Sequence, residues 1–209
     1  MIRILIADDH SIWRQGLTLI LEKSPEIKVV ASCANGIETL SWLRNNQCDA
    51  ALVDLAMPVM NGIELLKRLR EEHPKLPVLI LSNYPADQYA VRLFKSGAAG
   101  YLNKECAPLD VLSAVRCVIG GKRYISPAVA ELLADEVSLP DEKLPYKNLS
   151  DREYQVFLLI ASGKHLTEIA DTLKLSVKTI GTYRNRILEK TQLLNNADMM
   201  RYAIENHLI

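Results

Sequence analysis

The chain is short of several things that would place it in a special class. Aromatic residues make up 6% of its 209 positions, with two Phe and two Trp, and there are only nine Gly and nine Pro. No collagen-like period or low-complexity tract is present, and no internal repeat. Net charge is absent as well: 25 Lys and Arg face 25 Asp and Glu, so no supercharged tail or disordered polyelectrolyte is indicated. Unbroken apolar runs are short, as at Val78 to Leu81, whereas a bilayer span needs roughly 20 residues. Arg3, Asp8 and Asp9 interrupt the beginning of the chain in a way that secretory signals do not. The expectation is a cytoplasmic protein with no membrane partner. Cys33, Cys48, Cys106 and Cys117 form no C-x-x-C pair and have no His at zinc-ligand spacing, so reduced, packed thiols are expected.

What is present is a regular alternation. Short β-rich apolar runs at Arg3 to Ala7, Ile27 to Ser32, Ala50 to Val53, Pro77 to Leu81 and Ala99 to Leu102 alternate with stretches of helical period starting near Ser11, Gly36, Gly62, Ala86 and Pro108. Five such units in about 120 residues predict an α/β domain with a doubly wound, five-stranded parallel sheet. Residues 122–146 read as a linker with one short helix, Pro127 to Glu136, and then Pro140 and Pro145 among charges. That region carries five acids and one base over 125–146, whereas 147–209 carries nine basic and seven acidic residues. The domains are therefore expected at 1–121 and 147–209.

The second domain reads as all-α. Ser150-Asp151-Arg152-Glu153 is a capping box that opens a helix running to Gly163. Thr167 to Leu173, a turn through Lys174 and Leu175, and a longer helix capped by Ser176 give helix, tight turn, helix. At 100° per residue, Ile180, Tyr183, Ile187 and Thr191 fall on one side of that longer helix, and Lys178, Thr182, Asn185 and Glu189 on the other. The last helix, Ala197 to Asn206, is expected to bury Ala197, Met200, Ile204 and Leu208. Met199, Tyr202 and Ala203 would then be surplus apolar surface for a partner.

Chemistry gathers at the strand ends. Asp8 and Asp9 close the first strand, Asp54 the third and Ser82 the fourth, while Lys104 follows the fifth. Ligands of open α/β sheets bind at these carboxyl ends. Three carboxylates converging there would repel one another unless a cation compensated them, and oxygen ligands in an open site favour Mg²⁺.

Asp8-Asp9, the run Asp54-Leu55-Ala56-Met57-Pro58-Val59-Met60-Asn61-Gly62, Ser82 and Gly100-Tyr101-Leu102-Asn103-Lys104 resemble the receiver domain of two-component response regulators. Leu149-Ser150-Asp151-Arg152-Glu153, Gly163, Glu168-Ile169-Ala170, Leu175 to Ile180 and Ile187-Leu188-Glu189-Lys190 resemble the LuxR-type helix-turn-helix, and the whole resembles the NarL/FixJ subfamily. The resemblance implies a flavodoxin-like receiver in which Asp54 accepts phosphate from a sensor histidine kinase. Asp8, Asp9, Asp54 and the Ala56 backbone carbonyl would hold Mg²⁺, Lys104 and Ser82 would contact the phosphoryl group, and Tyr101 would be the switch. It further implies a DNA-binding transcription regulator whose only chemistry is on itself. Lys178, Thr182 and Asn185 would read bases in double-stranded DNA, with Arg186 and Lys190 on phosphates. A homodimer on two half-sites fits such a domain; Val111, Leu112, Ala114, Val115, Val118 and Ile119 with Ile12 and Leu19 are a candidate face, the equal alternative being that some of them cover the linker or the other domain.

The chain departs from the family at Glu105, where many receivers carry proline, at Gly181, where a lysine is frequent, and at Thr191-Gln192 in place of Leu-Gly. Three rivals remain beside this reading. A hydrolase acting through an aspartyl phosphate would need an acid at position 56, which is Ala. A constitutive DNA binder would use its first domain only to dimerise. A thiol sensor would need an exposed cysteine of low pKa.

Overall fold

The computed structural model describes residues 1–138, 144–206 and 208–209, except for the side chains of Val137 and Ser138. Chain contacts divide it into two units, Met1–Glu136 and Val137–Ile209.

In the first unit five strands, β1 (Ile2–Ala7), β2 (Ile27–Cys33), β3 (Ala50–Asp54), β4 (Val78–Ser82) and β5 (Gly100–Asn103), alternate with α1 (Ser11–Leu21), α2 (Gly36–Leu43), α3 (Gly62–Glu72), α4 (Ala86–Lys95) and α5 (Pro108–Ile119). All neighbouring strands are parallel, in the order β2-β1-β3-β4-β5. β3 and β4 are buried along their whole length, which is why they read as unbroken apolar runs instead of alternating ones. On one face Ile4, Ile6, Leu52, Leu79 and Leu81 meet Leu17 and Leu21 of α1 and Val111, Ala114, Val115 and Val118 of α5 in a single core. The intervening residues Leu5, Ala51, Val53 and Ile80, equally buried, point to the opposite layer by the two-residue period of a strand.

This use of α5 corrects the expected partner face. Val111, Ala114, Val115 and Val118 are core, and only Leu112 and Ile119 of that set are half-buried. On α1, Ile12 and Leu19 are fully exposed, as expected.

Helix α6 (Pro127–Ser138) falls in the stretch expected to be linker. It is held to the first unit by buried Val129 and by an ion pair of 2.6 Å from Lys95 Nζ to Glu136 Oε1. The expected linker residues 139–143, including Pro140, lie outside the described residues.

The second unit is helical: a 3-10 turn at Pro145–Asn148, then α7 (Asp151–Ala161), α8 (Leu166–Leu173), α9 (Val177–Thr191) and α10 (Asn196–Glu205). The capping box that opens α7 is formed, with Ser150 Oγ accepting from the Glu153 amide and Glu153 Oε2 accepting from the Ser150 amide. Lys174, at φ 53, makes the left-handed turn between α8 and α9, and Ser176 Oγ accepts from the Thr179 amide at the start of α9.

Helix α10 is rotated from expectation. Met199 and Ala203 are fully buried and Tyr202 is half-buried, whereas Ala197, Met200 and Ile204 are exposed. An aromatic cluster decides the phase: the Tyr202 ring lies 6.4 Å from those of Tyr146 and Phe157, a spacing at which edge-to-face contacts are favourable. Leu208 is buried as expected.

Candidate functional site

The parallel sheet carries its acids to one crevice. β1 delivers Asp8 and Asp9 just past its last residue, β3 ends on Asp54, β4 ends on Ser82, and Lys104 follows β5. Asp8, Asp54, Ser82 and Lys104 are all buried. Lys104 Nζ lies 2.7 Å from Asp8 Oδ2 and 3.0 Å from Asp54 Oδ1, tying the two strands through one ammonium. Burial pushes the Asp54 carboxyl above its ordinary value and the Asp8 charge adds to this, while Lys104 pulls the other way without overcoming it. Asp54 Oδ2 is buried and has no hydrogen-bond partner.

Loop geometry fixes Asp54. The Gly62 amide donates to the Leu55 carbonyl at 3.0 Å, folding the segment 54–62 back on itself. A Cβ on Gly62 would stand 2.3 Å from the Asp54 carbonyl oxygen, so only glycine fits. Asn61 and Glu64 close a capping box that starts α3 behind the loop. Ala56 is half-buried within it.

Ser82 Oγ accepts from the Tyr84 amide at 3.0 Å. Tyr101 is buried, its hydroxyl donating to the Tyr84 carbonyl. Burial pushes its phenol up to about 12, against a hydrogen bond with Ser82. The Tyr101 ring is therefore turned into the domain and linked to the loop after β4.

Ligand-capable atoms of Asp8, Asp9, Asp54 and His10 lie within 4.8 Å of one another. His10 precedes α1 directly, and its Nδ1 is 2.8 Å from Asp9 Oδ1. Two further neighbours were missed: Arg14, whose guanidinium donates to the Asp8 carbonyl at 2.6 Å, and Trp13, whose ring centroid is 5.8 Å from Lys104 Nζ. Immediate sequence proximity to the acid pair was the only available signal for any of them. The donor set is rich in oxygen, carries three carboxylates against one ammonium, and includes a buried oxygen with no partner. It fits a hard divalent cation.

At the opposite ends of the strands a broad cavity of about 1150 Å³ is lined by Arg3, Arg44, Arg70, Lys75, Lys122 and Arg123. Two of its cations stand where helices finish, Arg70 in the last turn of α3 and Arg44 at the end of α2, as the helix dipole favours.

In the second unit Lys178, Thr182, Asn185, Arg186 and Glu189 are exposed on α9, while Ile180, Ile187 and Thr191 are buried and Tyr183 is half-buried. Lys190 is exposed too, but its Nζ is 2.6 Å from Oε2 of buried Glu153. Burial alone would raise the Glu153 carboxyl. Hydrogen bonds from Lys190 and Ser150 together outweigh it and hold the group below its ordinary value. Arg184 is likewise engaged, donating to Asn196 Oδ1 at 2.6 Å.

Comparison with known proteins gives the same division. Residues 4–116 match the response regulator receiver domain, and residues 147–203 match the bacterial regulatory proteins of the luxR family. The chain belongs to the LuxR-type response regulators. The protein is 34% identical over 209 residues to the response regulator UvrY of Escherichia coli K12, covering 100% of this chain and 96% of that one. It is 35% identical over 210 residues to the response regulator GacA of Pseudomonas viridiflava, covering 100% and 98%. Among solved structures it is similar to RcsB from Salmonella enterica serovar Typhimurium bound to promoter rprA in the presence of the phosphomimetic BeF3-, with 26% identity, a TM-score of 0.63, and coverage of 97% and 98%. This response regulator is a two-component, DNA-binding transcription regulator. No helix among the described residues is long and apolar enough to cross a membrane.

Proposed function

We propose that Asp54 is the phosphoacceptor and that its phosphorylation controls DNA binding by the second domain. The observation that carries this is the buried Asp54 carboxylate with one oxygen on Lys104 and the other without a partner. Asp54 Oδ2 attacks the phosphorus of a phosphohistidine on the sensor kinase; the new P–O bond forms as the P–N bond breaks, leaving the imidazole. Asp8, Asp9, Asp54 and the Ala56 carbonyl would hold Mg²⁺, which supplies charge neutralisation for the transferring phosphoryl oxygens. Lys104 takes one of those oxygens. The Ser82 hydroxyl hydrogen-bonds another, and Tyr101, behind Ser82, couples that contact to the surface of the domain.

The functional division follows as 1–121, 122–146 and 147–209. Lys178, Thr182 and Asn185 are assigned to base edges in the major groove and Arg186 to a phosphate; Lys190 shares any phosphate contact with its bond to Glu153. A cytoplasmic homodimer on two half-sites about one helical turn apart suits a single short recognition helix. Chemistry is confined to self-phosphorylation and slow self-dephosphorylation. Three of the four cysteines speak against a thiol-sensing role: burial raises the thiols of Cys33 and Cys106, and pushes Cys48 up to about 12.

The test is binding to DNA selected from a random pool, for wild type and Asp54→Ala, with and without Mg²⁺ and beryllofluoride. Tightening in wild type alone is expected. Equal binding in all four conditions would reduce the receiver to a passive dimerisation module.

A further inference from the structure

We propose that Trp13 is a positioning residue for Lys104, holding the ammonium in the phosphoacceptor crevice through the face of its indole ring; this rests on the reading of Asp54 and Lys104 given above. Lys104 Nζ is 5.8 Å from the Trp13 ring centroid, inside the roughly 6 Å over which an aromatic face attracts a cation, and indole is the strongest such face among side chains. The ammonium has three donors. Two carboxylates, Asp8 and Asp54, are its ion-pair partners, so it has bonding capacity beyond them. Its side chain is 2% exposed, which removes the water that would otherwise satisfy that capacity and weaken the attraction to the ring.

The surroundings sharpen the effect. Trp13 and Lys104 share the wall of one small cavity of about 130 Å³, completed by Leu17, Ile20, Leu81, Cys106, Pro108 and Val111, most of them apolar. Few competing dipoles lie on that side of the lysine, and a low local dielectric strengthens what remains. Trp13 also comes from α1, just after Asp8 and Asp9, whereas Lys104 comes from the loop between β5 and α5. The ring therefore couples the lysine loop to the element that follows the acid pair.

Asp54 cannot hold Lys104 unchanged throughout the reaction: once its carboxylate takes the phosphoryl group, the ion pair seen here must loosen for Nζ to reach a phosphoryl oxygen. The Trp13 face takes no part in the transfer, so it would remain a partner of the ammonium while the carboxylate contacts change.

The test uses the full chain with Trp13→Leu, which keeps apolar volume and removes the ring, Trp13→Phe, which keeps a ring face, and Asp54→Ala. Phosphorylation from acetyl phosphate with Mg²⁺ should slow in Trp13→Leu by between about threefold and about thirtyfold, and by less than about threefold in Trp13→Phe. A second, metal-free measurement is a urea-unfolding double-mutant cycle between Trp13→Leu and Lys104→Met, expected to be non-additive by at least about twofold in the unfolding constant. Equal rates for wild type and Trp13→Leu, equal slowing in the Leu and Phe variants, or an additive cycle would each overturn the proposal. If wild type gains no phosphate, or Asp54→Ala gains as much as wild type, the reading of Asp54 fails and takes the proposal with it.

Discussion

Val59 sits in the loop that follows Asp54 with φ at 66 and 82% of its surface exposed. A β-branched residue in the left-handed region is a strained one, and there is no burial to offset that strain. Val59→Gly should raise stability by about 1 kcal/mol, the αL penalty less the entropy glycine adds to the unfolded chain, read as a higher urea midpoint at unchanged slope. Gly62, three residues on, has the opposite tolerance: a methyl there must displace the Asp54 carbonyl. The raised pKa of Asp54 sets a pH dependence. An acid whose folded pKa lies above its unfolded value disfavours folding wherever it is ionised, so its cost is absent below the unfolded value and develops as pH rises through the folded one. Asp54→Asn should therefore be more stable than wild type at pH 7.5 in metal-free buffer, with the difference vanishing near pH 3. A gain that persisted unchanged in acid would show that burial of the charge is not its source.

Helices α9 and α7 carry two separate roles for basic residues that look alike in sequence. Arg186 is exposed and makes no ion pair among the described residues, whereas Lys190 reaches the buried Glu153 at 2.6 Å. Arg186→Ala should weaken DNA binding for all sequences alike and reduce the slope of log K against log salt by about 1. Lys190→Ala should instead act mainly on folding, because it leaves a buried carboxylate without its ammonium. Since the Glu153 pKa is lowered, that contribution is present above the unfolded carboxylate value and is lost as pH falls through the folded one. Gly181 has open space where a Cβ would stand, so Gly181→Ala should stabilise α9 by about 1 kcal/mol. The five strands and the caps of α7 and α9 were legible in the sequence because they follow from local apolar runs and short-range hydrogen bonds. The phase of α10 was not. Its sequence offers two apolar stripes of the same helical period, and the choice between them is made by Tyr146 and Phe157, distant in sequence, which take Tyr202. The outer face of α5 was misread for the same reason: apolar residues were visible, but which of them α1 would cover depends on how two non-adjacent helices meet.

Across the whole molecule, the acidic crevice was the most legible feature, because a parallel sheet brings every strand end to one side regardless of loop detail. Trp13 was not legible because its place beside Lys104 depends on a distance across the fold. The same crevice holds three carboxylates against a single lysine, a net charge of −2 in a largely buried place. Mg²⁺ should raise the thermal midpoint of wild type in proportion to the logarithm of its concentration above Kd, and should leave a variant with both Asp9→Ala and Asp54→Ala nearly unmoved. Differential scanning calorimetry would show it. Because cellular proteases sample unfolded chains, the residence time of this regulator in the cell should then follow the free magnesium around it, and a site shaped for signalling would also set how long each copy survives to be signalled to.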